Sequence, residues 1–119
     1  MDLSTGCVER PWGFYQLLTS EPTTYSVKRL VILPGRRLSM QYHLHRTEHW
    51  YIAHGSGTAT VGEASWPVSP GSTADVACGT VHRLEAYEGE EPLVVIEVQR
   101  GDLLSEDDIV RLADDFGRA

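Results

Sequence analysis

Turn signals come so often in this sequence that they limit the length of every regular element. Pro34-Gly35, Gly55-Ser56-Gly57, Gly62-Glu63, Pro70-Gly71, Cys78-Gly79 and the glutamate-rich turn at Glu88 to Glu91 cut the middle of the chain into short pieces. Glycine and proline punctuate because one supplies positive φ and the other fixes φ and removes a donor. The pieces between them are β-branched and aromatic, among them Y25-S-V-K-R-L-V-I-L33, E48-H-W-Y-I-A53, S72-T-A-D-V76, V81-H-R-L-E-A-Y87 and P92-L-V-V-I-E-V-Q99. Gly13 to Leu18 and Arg36 to His45 add two more, and T58-A-T-V61 with A64-S-W-P-V68 forms a hairpin about Gly62-Glu63. Roughly eight or nine short strands, with a turn every eight to twelve residues, predict an all-β chain folded as a sandwich or a single small antiparallel β-barrel.

At 119 residues the chain is one domain with one core. Residues 10–119 are expected to form it, with residues 1–9 as a loosely packed N-terminal extension. The far end changes character. Ser105 is placed to cap a helix whose first turn is Glu106-Asp107-Asp108, after which Ile109, Val110, Leu112, Ala113 and Phe116 recur at helical spacing until Gly117. A short C-terminal helix from about Glu106 to Asp115 is the expectation. Its apolar face would cover either this chain's own barrel or a partner.

Composition excludes several classes. The hydrophobic fraction is 41% and the charged fraction 23%, and no run approaches the roughly 18–20 apolar residues of a membrane helix. The opening M-D-L-S-T-G-C-V-E-R does not resemble a secretory signal, so a cytoplasmic protein is expected. Cys7 and Cys78 are far apart and lack C-x-x-C spacing, which predicts neither a disulfide framework nor a zinc knuckle. A net charge of −7 argues against a nucleic-acid partner. The charge is uneven: residues 85–119 carry 11 acids against 3 arginines, whereas residues 1–84 carry 6 acids against 7 basic residues. A small anionic substrate therefore remains possible near the first two thirds of the chain.

The chemistry concentrates in L38-S-M-Q-Y-H-L-H-R-T-E-H-W50. On a strand, alternate side chains share a face, so Gln41, His43 and His45 would look the same way, with Glu48 following after a short break. A lone histidine in a strand is usually a hydrogen-bonded core or surface residue. Several metal-capable side chains within one strand-turn-strand unit reverse that expectation, and His82 supplies a distant fourth.

The spacing runs Gly35, five residues, Gln41, one residue, His43, four residues, Glu48, six residues, Gly55; it resumes as Gly71, five residues, Ala77, one residue, Gly79, two residues, His82. This resembles the paired motifs of the cupin superfamily, small jelly-roll barrels in which His-x-His, a Glu and a later His bind one metal. Three positions depart from that pattern: Gln41 replaces the first His, Ala77 the usual Pro and Ala86 the usual Asn. R10-P-W-G, P-G-x-x-L-S-M-Q-Y-H-x-H-R-x-E-H-W, V-H-R-L-E and I-E-V-Q-x-G-D-x-L-x-E-D-D-I-V-R together resemble the type II phosphomannose isomerase family. Its cupin domains often follow a mannose-1-phosphate guanylyltransferase domain. The resemblance runs from about Arg10 to Arg118. It does not extend to the nucleotidyltransferase half, so guanylyltransferase activity is expected to be absent.

The resemblance implies Gln41, His43, Glu48 and His82 as ligands of one divalent ion: Zn, Mn, Fe, Co or Ni, the choices that suit mixed nitrogen and oxygen donors. His45, on the same predicted face, is an alternative third ligand or a group supporting one. The resemblance further implies interconversion of mannose 6-phosphate and fructose 6-phosphate through an enediol, which needs a Lewis acid and a base poised near neutral pH. His45 is the first choice for that base, because Glu85 is out of phase with His82. Arg46, Lys28 and Arg100 are the candidate cations for the phosphate. On the last strand either Glu97 and Gln99 or Val94, Ile96 and Val98 face inward, and Gln99 is taken as substrate-binding. Trp50 is expected in the core, His49 as a structural hydrogen-bonder, and Arg36, Arg37 and Arg83 as surface charges. Barrels of this kind commonly pair by their sheet edges, so a homodimer is expected. The competing functions are a non-catalytic sugar-binding or regulatory cupin and another metal-dependent cupin enzyme, such as an Fe(II) oxygenase, for which three His and one Glu would be more natural.

Overall fold

Short alternating strands that bury one face need a second layer to bury it against, and here that layer is another sheet. The computed structural model describes residues 6–21 and 23–118, which form eleven strands and no helix. In chain order they are β1 (Cys7–Arg10), β2 (Gly13–Glu21), β3 (Tyr25–Ile32), β4 (Met40–Tyr42), β5 (Arg46–His54), β6 (Gly57–Val61), β7 (Ala64–Val68), β8 (Thr73–Val76), β9 (His82–Ala86), β10 (Leu93–Gly101) and β11 (Val110–Ala113). Six lie in one sheet in the order β1-β2-β3-β10-β5-β8; the other five follow the order β11-β4-β9-β6-β7. All pairings are antiparallel, as a jelly roll requires. The expected all-β jelly roll is present, but the two sheets do not close into a barrel. Strands β1, β8, β11 and β7 remain as edges.

The core sits between the sheets. Leu30, Ile32, Trp50, Ile52, Leu93 and Val95 come from the six-stranded sheet and meet Ala59, Val68, Leu84 and Ala86 from the other. Strand β5 shows why: Arg46, Glu48, Trp50 and Ile52 are buried and the residues between them exposed, the period-2 pattern of a strand with one wet face. Toward Ile52 this inner row is apolar. Toward Arg46 it is polar, so one end of the sandwich encloses a polar cavity.

Three expectations fail here. Residues 7–10, placed partly in a loose extension, are instead an edge strand on β2; residues 1–5 lie outside the described residues. The long strand from Arg36 to His45 shrinks to Met40–Tyr42, with Arg37 held to Glu85 by an isolated bridge. The C-terminal helix is absent: Val110–Ala113 is a strand paired with β4. The physical reason is non-local. Strand β4 has β9 on one side only, and its other edge carries backbone donors and acceptors that β11 satisfies. Ser105 does accept a bond from the Asp107 N–H, as a cap would, but the Asp108 carboxylate is spent on the Leu44 and His45 N–H groups and the chain runs on extended.

The C-terminal segment is tied down at further points. Asp115 accepts from Arg37 Nε at 2.7 Å and from its Nη2 at 2.8 Å. Arg83, expected on the surface, is buried: its Nε donates to the Leu38 carbonyl at 2.8 Å and its Nη2 to the Ala113 carbonyl at 3.4 Å. Burial holds its guanidinium below the ordinary arginine range. Among the described residues no helix is long and apolar enough to cross a membrane.

Candidate metal centre

Four of the residues singled out by sequence meet at the polar end of the sandwich. Gln41 is on β4, directly across from His82 on β9; Glu48 is on β5; His43 lies just past the end of β4. All four are buried. His43 Nε2 is 3.3 Å from Glu48 Oε2 and His82 Nε2 is 3.4 Å from Glu48 Oε1. The ligand-capable atoms of His43, Glu48 and His82 fall within 4.8 Å of one another.

Both imidazoles are oriented for the same task. His43 Nδ1–H donates to the Asp108 carbonyl at 2.5 Å, and His82 Nδ1–H donates to the Thr80 carbonyl at 2.9 Å. Each therefore presents an Nε2 lone pair toward Glu48, with its tautomer set by a backbone partner. Burial, followed by the neighbouring Arg46 cation, keeps His43 neutral by pushing its pKa down to about 4. Trp50 is 1% exposed, packs edge-on to His82 at 5.6 Å and donates its indole N–H to Glu48 Oε1 at 3.3 Å. Two imidazole nitrogens and a carboxylate, each held by a hydrogen-bond partner, form a donor set that fits a divalent ion of the Zn, Mn, Fe, Co or Ni class. Gln41 lines the same cavity, across from His82.

Arg46 is inside too. Its Nε and Nη2 both lie 2.9 Å from Glu48 Oε2, Nη2 approaches His43 Nε2 at 3.2 Å, and Nη1 reaches the Ser105 carbonyl at 3.4 Å. Lys28 points into the cavity, where it pairs with Glu106 and lies 4.7 Å over the Tyr15 ring. Burial alone would raise the Glu106 carboxyl, but Lys28 outweighs it and holds that carboxyl below the usual range. Gln99 is 2% exposed; it accepts from Ser26 Oγ at 3.0 Å and donates to Glu97 Oε1 at 2.5 Å. This settles the phase of β10: Leu93, Val95, Glu97 and Gln99 face in, while Val94, Ile96 and Val98 line the other face.

His45 and Arg100 are not in the site. His45 is half exposed, and its ring Nδ1 lies 3.9 Å from Asp102 Oδ1. Strand β4 ends at Tyr42, Leu44 and His45 form a bend whose N–H groups each donate to Asp108 at 2.9 Å, and β5 starts afresh at Arg46. The bend resets the alternation, so Arg46 takes the inward position expected for His45. Arg100 is exposed because it alternates with Gln99. His49 bonds Asp75 at 2.6 Å on the outer face, as a structural residue would.

The sequence reading did not place Arg10, Glu106, Arg111 or Arg118 at the cavity, and it left the inward turn of Glu97 open. Glu97 is buried without a full counter-charge. Desolvation and the nearby Glu48 carboxylate push its pKa up to about 7. A period-2 reading of Val110 to Ala113 would have turned Arg111 inward. The helical reading hid it.

The sequence matches the family described as mannose-6-phosphate isomerase C-terminal over residues 4–114. The chain belongs to this family. It is 41% identical over 111 residues to xanthan biosynthesis protein XanB of Xanthomonas campestris pv. campestris and 39% identical over 111 residues to a mannose-1-phosphate guanylyltransferase of Klebsiella pneumoniae. Each alignment takes in 93% of this chain but only 23% of the relative, so the family domain corresponds to about a quarter of the length of those proteins. Among solved structures, Bacillus subtilis oxalate decarboxylase superposes with a TM-score of 0.79 at 18% identity over 92% of this chain and 30% of that one. The cupin domain of Schizosaccharomyces pombe Cnp3 superposes with a TM-score of 0.68 at 14% identity over 75% of this chain and 64% of that one. At such identities these two establish the cupin fold alone.

One expectation is overturned by these relatives. A self-contained isomerase of mannose 6-phosphate and fructose 6-phosphate does not match them: proteins near 40% identity are named for guanylyl transfer or xanthan biosynthesis, and the family domain is a fraction of each. The family domain is a cupin unit related to parts of larger sugar-metabolic enzymes.

Proposed function

We propose that this cupin holds one divalent ion on Gln41, His43, Glu48 and His82 and binds a mannose phosphate beside it, as the metal-centred ligand-binding unit of activated-mannose metabolism. The observation that carries the reading is the convergence of two backbone-oriented imidazoles on one buried carboxylate inside a cavity lined by further cations. The named relatives, one a mannose-1-phosphate guanylyltransferase, supply the sugar. When bound, such an ion polarises carbonyl and hydroxyl oxygens as a Lewis acid. The chain's own residues do the rest of the recognition. Gln99 is held by Ser26 and Glu97 so that its amide is fixed at the cavity wall. Arg46 balances the Glu48 carboxylate. Trp50 and the apolar core behind it keep bulk water from the ligands.

Calorimetric titration tests the reading. Protein loaded with Co or Mn should bind mannose 1-phosphate or mannose 6-phosphate saturably, and His82→Ala should lose both the metal and the sugar phosphate while keeping its fold. Absence of any heat with either sugar phosphate, in protein shown to carry metal, refutes it.

A further inference from the structure

The cavity carries more positive charge than it neutralises. Five cationic side chains line it, Arg10, Lys28, Arg46, Arg111 and Arg118, against three carboxylates, Glu48, Glu97 and Glu106. This excess stands in a protein whose net charge is −7, so it is a local feature and not a consequence of composition. Most of these cations already have partners. Lys28 pairs with Glu106, Arg46 with Glu48, and Arg118 with Asp114. Arg10 donates to the Glu9 carbonyl and lies 5.3 Å over the Tyr15 ring. Arg111 differs: its Nε is buried and, among the described residues, has no hydrogen-bond partner. A buried guanidinium N–H without an acceptor is costly, and such groups in folded proteins mark positions where an ion or ligand completes the bonding.

The register places this residue beside the metal centre. Arg111 on β11 is the partner of Gln41 on β4, and Gln41 is the partner of His82 on β9. Directly opposed residues of antiparallel strands share a face, so Arg111, Gln41 and His82 form one row along the inner side of the five-stranded sheet. From Arg111 to His82 is two strand spacings, roughly 10 Å, a separation that a phosphorylated hexose bridges.

We propose that Arg111 is the anion-receiving residue of this cavity: its guanidinium, through the buried Nε–H that has no partner among the described residues, takes the phosphate of a phosphomonoester whose sugar oxygens face Gln41 and His82. A phosphomonoester is favoured over a carboxylate because it brings close to −2 and three acceptor oxygens to a cavity lined by more cations than carboxylates. The planar fork of arginine, with Nε–H and an Nη–H side by side, suits two oxygens of one phosphate. The assignment displaces Lys28, Arg46 and Arg100 from that role: two are engaged by Glu106 and Glu48, and the third lies outside the cavity. It rests on the mannose-phosphate reading for the sugar but not for the anion.

The test separates the two. Inorganic phosphate is titrated by calorimetry and by 31P NMR into the metal-free full chain, then mannose 1-phosphate into the metal-loaded chain. Wild-type protein should bind phosphate saturably, more tightly than acetate. Arg111→Met should weaken phosphate by at least about tenfold, Arg111→Lys should fall between, and Arg100→Met should match wild type. Metal affinity should be the same in all four, which shows that the sheet is intact. Where Arg111→Met fails to fold, Arg111→Gln carries the same comparison. No phosphate binding by wild type, or equal phosphate affinity in wild type and Arg111→Met, overturns the assignment. Mannose 1-phosphate binding that is indifferent to Arg111→Met overturns Arg111 while leaving the sugar-phosphate reading standing. Arg111-dependent phosphate binding with no gain from the sugar sustains Arg111 and sinks the sugar.

Discussion

Replacing Glu97 by Gln removes one ionisable group from the most desolvated wall of the cavity and leaves its shape. Glu97 is 5% exposed, and burial together with the Glu48 carboxylate raises its pKa from 4.5 to about 7. A carboxyl whose folded pKa lies above its unfolded value keeps its proton longer in the fold. Between about pH 4.5 and 7 the folded chain therefore binds more protons at this site than the unfolded chain, and its stability falls as pH rises through that window. A pKa raised from 4.5 to about 7 corresponds to roughly 3 kcal/mol over the whole interval. His43 works in the opposite sense. Its folded pKa of about 4 lies below its unfolded value of 6.5, so its contribution is present above pH 6.5 and is lost as pH falls through 4. The two would partly cancel in wild type alone, but His43 is common to both proteins and drops out of their difference except for the minor upward pull that the Glu97 carboxylate exerts on it. The assay is urea denaturation of metal-free wild type and Glu97→Gln at intervals from pH 4.5 to 8. The variant should gain on wild type by roughly 3 kcal/mol across that range, with most of the gain between pH 5 and 7. A difference that stays flat within about 0.5 kcal/mol, near the noise of extrapolated stabilities, would show that Glu97 ionises normally and that the cavity wall is wet.

Two further outcomes follow from the same geometry. Asp108→Ala keeps the carbonyl that receives His43 Nδ1–H but removes two carboxylate bonds to the Leu44 and His45 N–H groups, each 2.9 Å long. Urea titration should show a loss of about 1–3 kcal/mol, and chelator competition a metal affinity lower by roughly tenfold or more, because the bend that aims His43 is loosened. Gly57→Ala places a Cβ 1.9 Å from the Glu85 carbonyl oxygen, on the neighbouring strand β9. The obstacle is strand backbone and not a side chain that could swing away, so the melting curve should show a loss of at least roughly 2 kcal/mol; an unchanged melting temperature would mean that β6 and β9 are not in this register.

The candidate metal-binding group was legible because it is built from local spacing. Gln41 and His43 alternate on and just past one short strand, Glu48 begins the next inward row, and His82 sits in a run with its own β-branched and turn markers. His45 was misplaced by extending one strand through a bend. Alternation is reliable within a strand, but a two-residue bend resets its phase, and the bend here is made by Asp108, more than sixty residues away in sequence. Arg83 was misjudged for a related reason. It is buried against strand β11, which takes its conformation from an edge it happens to meet.

By itself the sequence determined the strands, the turns between them and the residues fit to hold a metal, since glycine, proline, β-branching and short-range alternation act over a few residues. Only the tertiary structure decided that the tail is a strand and not a helix. Ile109, Val110, Leu112 and Ala113 suit either period, and the unpaired edge of β4 broke the tie. It also decided how the cavity's cations are engaged: Lys28 and Arg46 pair with Glu106 and Glu48, whereas the buried Arg111 Nε, beside Gln41, has no hydrogen-bond partner among the described residues.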